Sequence, residues 1–171
     1  MKNNLLSSDL KRYDSKKNLP SFQKYYRKAQ SSKCFFTRFL YRIIFALKKR
    51  KNLIELNYKT KIGEGLYIGH PYCITINSEA IIGKNCNIHK GVTIGMENRG
   101  KRKGTPIIGD KVWIGINTTI VGKINIGDDV LIAPNTFVNQ DIPSHSVVFG
   151  NPCIIKHKDD ATKDYINRIV D

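Results

Sequence analysis

This chain holds no pair of cysteines at ligand spacing, no long apolar run, and few acidic residues in its first third. Cys34, Cys73, Cys86 and Cys153 include no C-x-x-C, so neither a disulfide framework nor a zinc site is indicated, and no metal is expected. Unpaired thiols fit a reducing compartment, and the expected location is the cytosol. No stretch approaches the roughly 18–20 apolar residues of a membrane span. The N-terminus also lacks the apolar run of a secretory signal. Asp and Glu number 14 against 29 Lys and Arg, and the shortage is local. Residues 1–60 hold three acids, Asp9, Asp14 and Glu55, against 16 basic residues, whereas residues 61–171 hold 11 against 13.

What the chain has in abundance is Ile-Gly at multiples of six residues. The pairs are Ile62-Gly63, Ile68-Gly69, Ile82-Gly83, Ile94-Gly95, Ile108-Gly109, Ile114-Gly115 and Ile126-Gly127. A six-residue period with a small residue at the fifth position (Ser78, Cys86, Thr118, Thr136) fits neither a helix nor a plain strand. It predicts a solenoid in which three hexads close one triangular coil of a parallel β-helix. The inward positions are 62, 68, 74, 82, 88, 94, 108, 114, 120, 126, 132 and 138, and Gly is expected where the backbone turns a corner. The register slips near Ser78–Ala80 and again across 96–107, a Gly- and Lys-rich excursion. Asp141–Ser144 is expected to leave the last coil.

Three parts follow: a basic helical arm (1–52), the β-helix (53–156, with the loop at 96–107) and a tail (157–171) with a short helix near 160–170. Pro20 predicts a helix start near 20–30. Phe35, Phe36, Phe39, Leu40, Ile43, Ile44 and Leu47 form an amphipathic stripe over 33–50, flanked by Arg38, Arg42 and Lys48–Lys51. The favoured expectation is that this stripe packs on the solenoid base or a neighbouring subunit. Peripheral contact of residues 20–51 with an anionic membrane is compatible with it. Nucleic acid is a weaker candidate for the arm.

The segments Lys61–His70, Ile88–Gly95, Val112–Gly115 and the closing Gly150-Asn-Pro-Cys-Ile-Ile155 resemble the hexapeptide-repeat acyltransferases, in particular the serine acetyltransferase-like branch. The resemblance covers about residues 53–156. It implies a left-handed β-helix, a homotrimer with active sites between subunits, and acetyl-CoA as cosubstrate. The Gly150 segment resembles the family terminator, with Cys153 in place of the usual Ala.

Acyl transfer to a hydroxyl needs a base, a group to orient it, and donors for the oxyanion. The resemblance assigns the base to His70 and its carboxylate partner to Glu55, where the family usually has Asp. It assigns the cofactor groove to Gly95, Gly115, Ile116, Ala133 and Pro134. Phosphate contacts would come from Lys101, Arg102 and Lys103, with Lys156 and Lys158 beyond the last coil. Tyr67, Tyr72 and His89 are candidates for the acceptor pocket. His89 is expected to sit close to one coil above His70 but offset by the register slip, and Cys73 is not expected to act as a nucleophile.

Two departures bear on the acceptor. True serine acetyltransferases have Asp immediately before the catalytic His, where this chain has Gly69. They also carry an Arg-His pair before the loop proline, where this chain has Gly104-Thr105. Losing both charged groups points away from serine and towards a sugar hydroxyl in surface-polysaccharide biosynthesis, with serine O-acetylation as the alternative. A γ-class carbonic anhydrase is excluded by the lack of its paired His, and an ice-binding face by the lack of ranked T-x-T. A non-catalytic scaffold would have no need of His70 or Glu55.

Overall fold

The computed structural model describes residues 5–171. Three helices precede the solenoid: α1 (Leu5–Lys11), α2 (Ser21–Ser31, with Pro20 at its cap as expected) and α3 (Phe35–Lys51). Strands β1 (Lys61–Ile62), β4 (Ile81–Ile82), β7 (Ile107–Ile108) and β10 (Asn125–Ile126) stack in parallel as the first face. The second face contains β2 (Tyr67–Gly69), β5 (Asn87–His89), β8 (Val112–Ile114), β11 (Val130–Ile132) and β13 (Ser146–Phe149). The third contains β3 (Thr75–Ile76), β6 (Thr93–Gly95), β9 (Thr119–Val121) and β12 (Phe137–Val138). The architecture is the left-handed hexapeptide β-helix.

All twelve expected inward aliphatics are buried, none more than 6% exposed. Strands buried on one face and only a few residues long cannot stand alone; stacking aliphatics coil on coil supplies the core. The fifth-position residues Cys86, Thr118 and Thr136 are buried as well, but Ser78 is exposed and Ala80 fills the core instead.

The Ile-Gly glycines serve a different need from the one expected. None of them has a left-handed φ; the left-handed corner residues are Gly65, Asn85, Lys111, Asp129 and His145 on one edge, and Cys73, Gly91, Asn117 and Asn135 on another. Gly63, Gly83, Gly109 and Gly127 are instead sites of close approach. A Cβ on Gly63 would stand 2.6 Å from the Gly83 backbone, and one on Gly83 would stand 2.5 Å from that of Gly109. Only a hydrogen fits between successive coils there.

The solenoid does not end at Asp141–Ser144. Ile142 bridges Ile126, and β13 adds a further strand on β11. β14 (Ile154–His157) then returns antiparallel along β13. The expected C-terminal helix is absent: residues 159–165 are turns, with left-handed φ at Asp160, Asp164 and Arg168 interrupting any helical run. The tail lies against the solenoid. Asp129 accepts hydrogen bonds from Ala161 N, Thr162 N and Thr162 Oγ1. Asn85 exchanges two bonds with Val170, and Asn87 donates to Tyr165 O.

The arm closes the first coil. Arg27, wholly buried, pairs with Asp9 at 2.8 Å and donates to Ile62 O and Gly63 O. Asp9 also accepts from Gln23 and from Leu66 N. Tyr26 donates to Thr60 O, and Arg12 donates to Gly65 O. The bonds to Thr60 O, Ile62 O, Gly63 O, Gly65 O and Leu66 N satisfy backbone groups that a further coil would otherwise have paired. Phe22, Tyr26 and Phe45 join the solenoid core.

The stripe on α3 does not pack on the base. Tyr41, Phe45 and Lys49 face inward, and Lys49 Nζ reaches Leu56 O at 2.8 Å. Phe35, Phe36, Phe39, Leu40, Ile43 and Leu47 point outward, all at least 43% exposed.

Candidate active site

The chain is two residues longer at the His70 corner than one coil higher. Ile68 pairs with Ile88 and Ile76 with Ile94, so eight residues span in the first coil what six span in the second. The register slip therefore lies at residues 70–75, not at 78–80. The additional residues form a turn in which Tyr72 N donates to His70 O at 2.7 Å. This turn puts His70 at φ 53°, exposed at the edge between the second and third faces. A non-glycine residue in that region, held at a site with no counterpart in the higher coils, is a feature functional positions favour.

His89 is in register with Gly69, one residue before the level of His70. Its Nδ1 lies 2.8 Å from Ile114 O, an atom that only accepts, so Nδ1 carries the proton and Nε2 is left as an acceptor. Burial pushes the His89 pKa down; the Ile114 carbonyl opposes this, and nearby His70 adds to the lowering. Burial thus favours the neutral ring, and the Ile114 carbonyl fixes its tautomer.

Glu55 forms a parallel bridge with Thr75 on the third face. Within the chain its carboxylate makes no hydrogen bond to His70; its electrostatic partner is Lys49. Glu55 is thus placed beside the C-terminal end of the turn that begins at His70.

The expected cofactor residues fall on two edges. Gly115 and Ala133 stack above Gly69 and His89, so that Ile116 and Pro134 lie in the His70 column. Gly95 pairs with Val121 at the far edge of the third face, and the loop belongs with it. Glu97 and Gly104 exchange backbone bonds, Gly100–Arg102 form a single 3-10 turn, and Arg102 O accepts from Lys123 N. Lys101, Arg102 and Lys103 are exposed there. Lys156 lies on β14 at the top of the second face, its Nζ 5.7 Å from the Phe149 ring centroid. Tyr72 is exposed beside His70.

A cleft of about 370 Å³ lies on the second face between the arm and the tail. Tyr67, expected in the acceptor pocket, lines it with His89. Tyr67 stacks on Tyr13 at 4.8 Å, His89 lies 4.6 Å from Trp113, and Trp113 lies 5.3 Å from Tyr165. Arg12, Asn87 and Arg168 supply its polar wall. Sequence reasoning missed Trp113, although a lone Trp at an outward position just before Gly115 was a signal. Arg12 and Tyr165 carried none, because the arm and tail have no repeat to fix their place.

Among the described residues no group of three metal-ligating side chains occurs, and no helix is long and apolar enough to cross a membrane.

Residues 105–140 match the family described as bacterial transferase hexapeptide, six repeats. Fold and sequence together place the repeat body among the hexapeptide-repeat β-helix transferases. Its relatives are more particular. A serine acetyltransferase 2 of Arabidopsis thaliana is 35% identical over 131 residues, 69% of this chain and 40% of the relative. A serine acetyltransferase of Staphylococcus epidermidis is 38% identical over 111 residues, 65% of this chain and 52% of the relative. The chain thus spans about half the length, or less, of these relatives. Among solved structures, soybean serine acetyltransferase complexed with serine superposes with a TM-score of 0.66 at 26% identity, covering 79% of this chain and 56% of that one.

These similarities overturn the expected sugar acceptor, since the relatives and structural neighbours are serine acetyltransferases. Both departures fit their local surroundings. A Cβ on Gly69 would stand 2.6 Å from His89 Cδ2, so an Asp there would require the His89 ring to move. Gly104 adopts φ 136° to close the loop on Glu97, a conformation an Arg there would resist.

Proposed function

We propose that this chain is an acetyl-CoA-dependent O-acetyltransferase whose acceptor is the hydroxyl of L-serine, with His70 as general base. The observation that carries this reading is His70 itself: an exposed imidazole in a left-handed turn that only the first coil has, at a catalytic position of the serine acetyltransferase-like branch. The names of the relatives supply the acceptor.

In the proposed step His70 takes the serine hydroxyl proton as the oxygen attacks the thioester carbonyl. The C–S bond then breaks, and the imidazolium returns the proton to the departing thiolate. Glu55 would orient the His70 ring; that contact has to form with substrate bound, as catalytic hydrogen bonds often do. His89, neutral and accepting through Nε2, can take a hydrogen bond from the acceptor.

The two edges that hold the cofactor residues favour a trimer. The His70 column and the 96–107 loop flank opposite sides of the third face in one chain, so a neighbouring copy is needed to bring one beside the other. Acetyl-CoA would lie in that groove, its phosphates towards Lys101, Arg102 and Lys103.

The test is release of free coenzyme A from acetyl-CoA on addition of L-serine, with mass detection of O-acetylserine. Saturable turnover supports the reading; a serine-independent rate sinks it.

A further inference from the structure

Among the described residues, six exposed large hydrophobic side chains gather on the outward face of α3. Over residues 35–47 the stripe runs about 18 Å at 1.5 Å per residue. Phe36 is 79% exposed, Phe35 66% and Leu47 62%. A patch of this kind on a folded protein marks a contact surface.

Charge decides which contact. No Asp or Glu stands anywhere between Asp14 and Glu55. Helix α3 carries six cations, Arg38, Arg42, Lys48, Lys49, Arg50 and Lys51, and no acid. Lys48, Arg50 and Lys51 are exposed at the end of the stripe. Two copies of this helix laid face to face would set cation against cation in either direction, with no acid on the helix to offset them. A surface that is apolar within and anionic at its boundary satisfies both halves at once.

We infer that α3 is a peripheral docking helix for an anionic lipid surface. It lies flat, with Phe35, Phe36, Phe39, Leu40, Ile43 and Leu47 in the acyl boundary and the Lys48–Lys51 cluster at the headgroups. Its inward face, through Phe45 and Lys49, couples it to the solenoid. The inference stands apart from the proposed acceptor: it concerns where the protein sits, not what it acetylates.

The full chain is tested by co-sedimentation with phosphatidylcholine vesicles and with vesicles that also contain phosphatidylglycerol. The arm cannot simply be deleted, because Asp9, Tyr26 and Arg27 close the first coil. Two surface variants are used instead: Phe36→Ser/Leu40→Ser/Leu47→Ser and Lys48→Gln/Arg50→Gln/Lys51→Gln. Binding should be at least about tenfold stronger on the anionic vesicles, and each variant should lose at least about tenfold. High salt should weaken it. Thermal melting of both variants should match the parent. Equal binding to both vesicles, no binding, or indifference to the apolar variant overturns the inference. So does a drop in molecular mass of the apolar variant without vesicles, which would assign the stripe to a second copy.

Discussion

Gly69 and His89 are register partners on adjacent coils, and a β-carbon on residue 69 would stand 2.6 Å from His89 Cδ2 and 2.9 Å from Nε2. The ring cannot swing away freely, because Nδ1 is tied to Ile114 O. The smallest side chain at one site thus sets the position of the imidazole at the next.

Gly69→Ala should therefore cost about 1–3 kcal/mol of stability. His89→Ala in the same chain should recover much of it. Chemical denaturation of the two single variants and the double variant measures the coupling; strict additivity would show that the two residues do not contact.

His70→Asn should lower kcat/KM at least about 100-fold, with melting unchanged. Asn tolerates the left-handed backbone that His70 adopts, so the substitution tests the imidazole without straining the turn. A rate within a few-fold of the parent would remove His70 from the mechanism.

His89 should remain neutral where an ordinary His is charged. Its folded pKa is lowered by burial, against the pull of the Ile114 carbonyl, so between that value and the usual 6.5 the unfolded chain binds more protons. Stability should fall as pH drops below 6.5, and His89→Gln should flatten that slope. Nitrogen-15 NMR of the ring should show a protonated Nδ1; a protonated Nε2 in the neutral form would contradict the assigned tautomer.

Asp129 fastens the tail. Burial would raise its carboxyl pKa, but bonds from Thr162, His145 and Ala161 outweigh burial and hold it below the ordinary 3.8. The group contributes stability above that ordinary value, and loses it as pH falls through the folded value. Amides around Ala161 and Thr162 should lose protection from exchange in that acid range before those of the coils do. Asp129→Asn should bring the loss to neutral pH.

The coils were legible because a β-helix writes its core in the sequence: every sixth residue is an aliphatic, and each of the twelve positions read as inward is buried. His70 was singled out from its motif, and the structure sets it in an exposed left-handed turn. The register slip was read at 78–80, after the turn, and only strand pairing shows that the extra residues lie at 70–75. The cleft was out of reach. Its walls come from the segment after α1 (residues 12–18), the second face and the tail, and nothing periodic relates Arg12 to Trp113 or Tyr165. The tail helix failed because local composition ignored what Asp129 and Asn85 impose on residues 161–170.

A stack of identical coils has no inherent length, and its open ends can seed a fibre. Here the buried Arg27–Asp9 pair occupies carbonyls and amides that an incoming coil would use. At the other end β14 runs backwards along β13, presenting a direction that no parallel coil can copy. The two ends make the molecule finite: a particle that can gather others around its flanks, but cannot be extended along its axis.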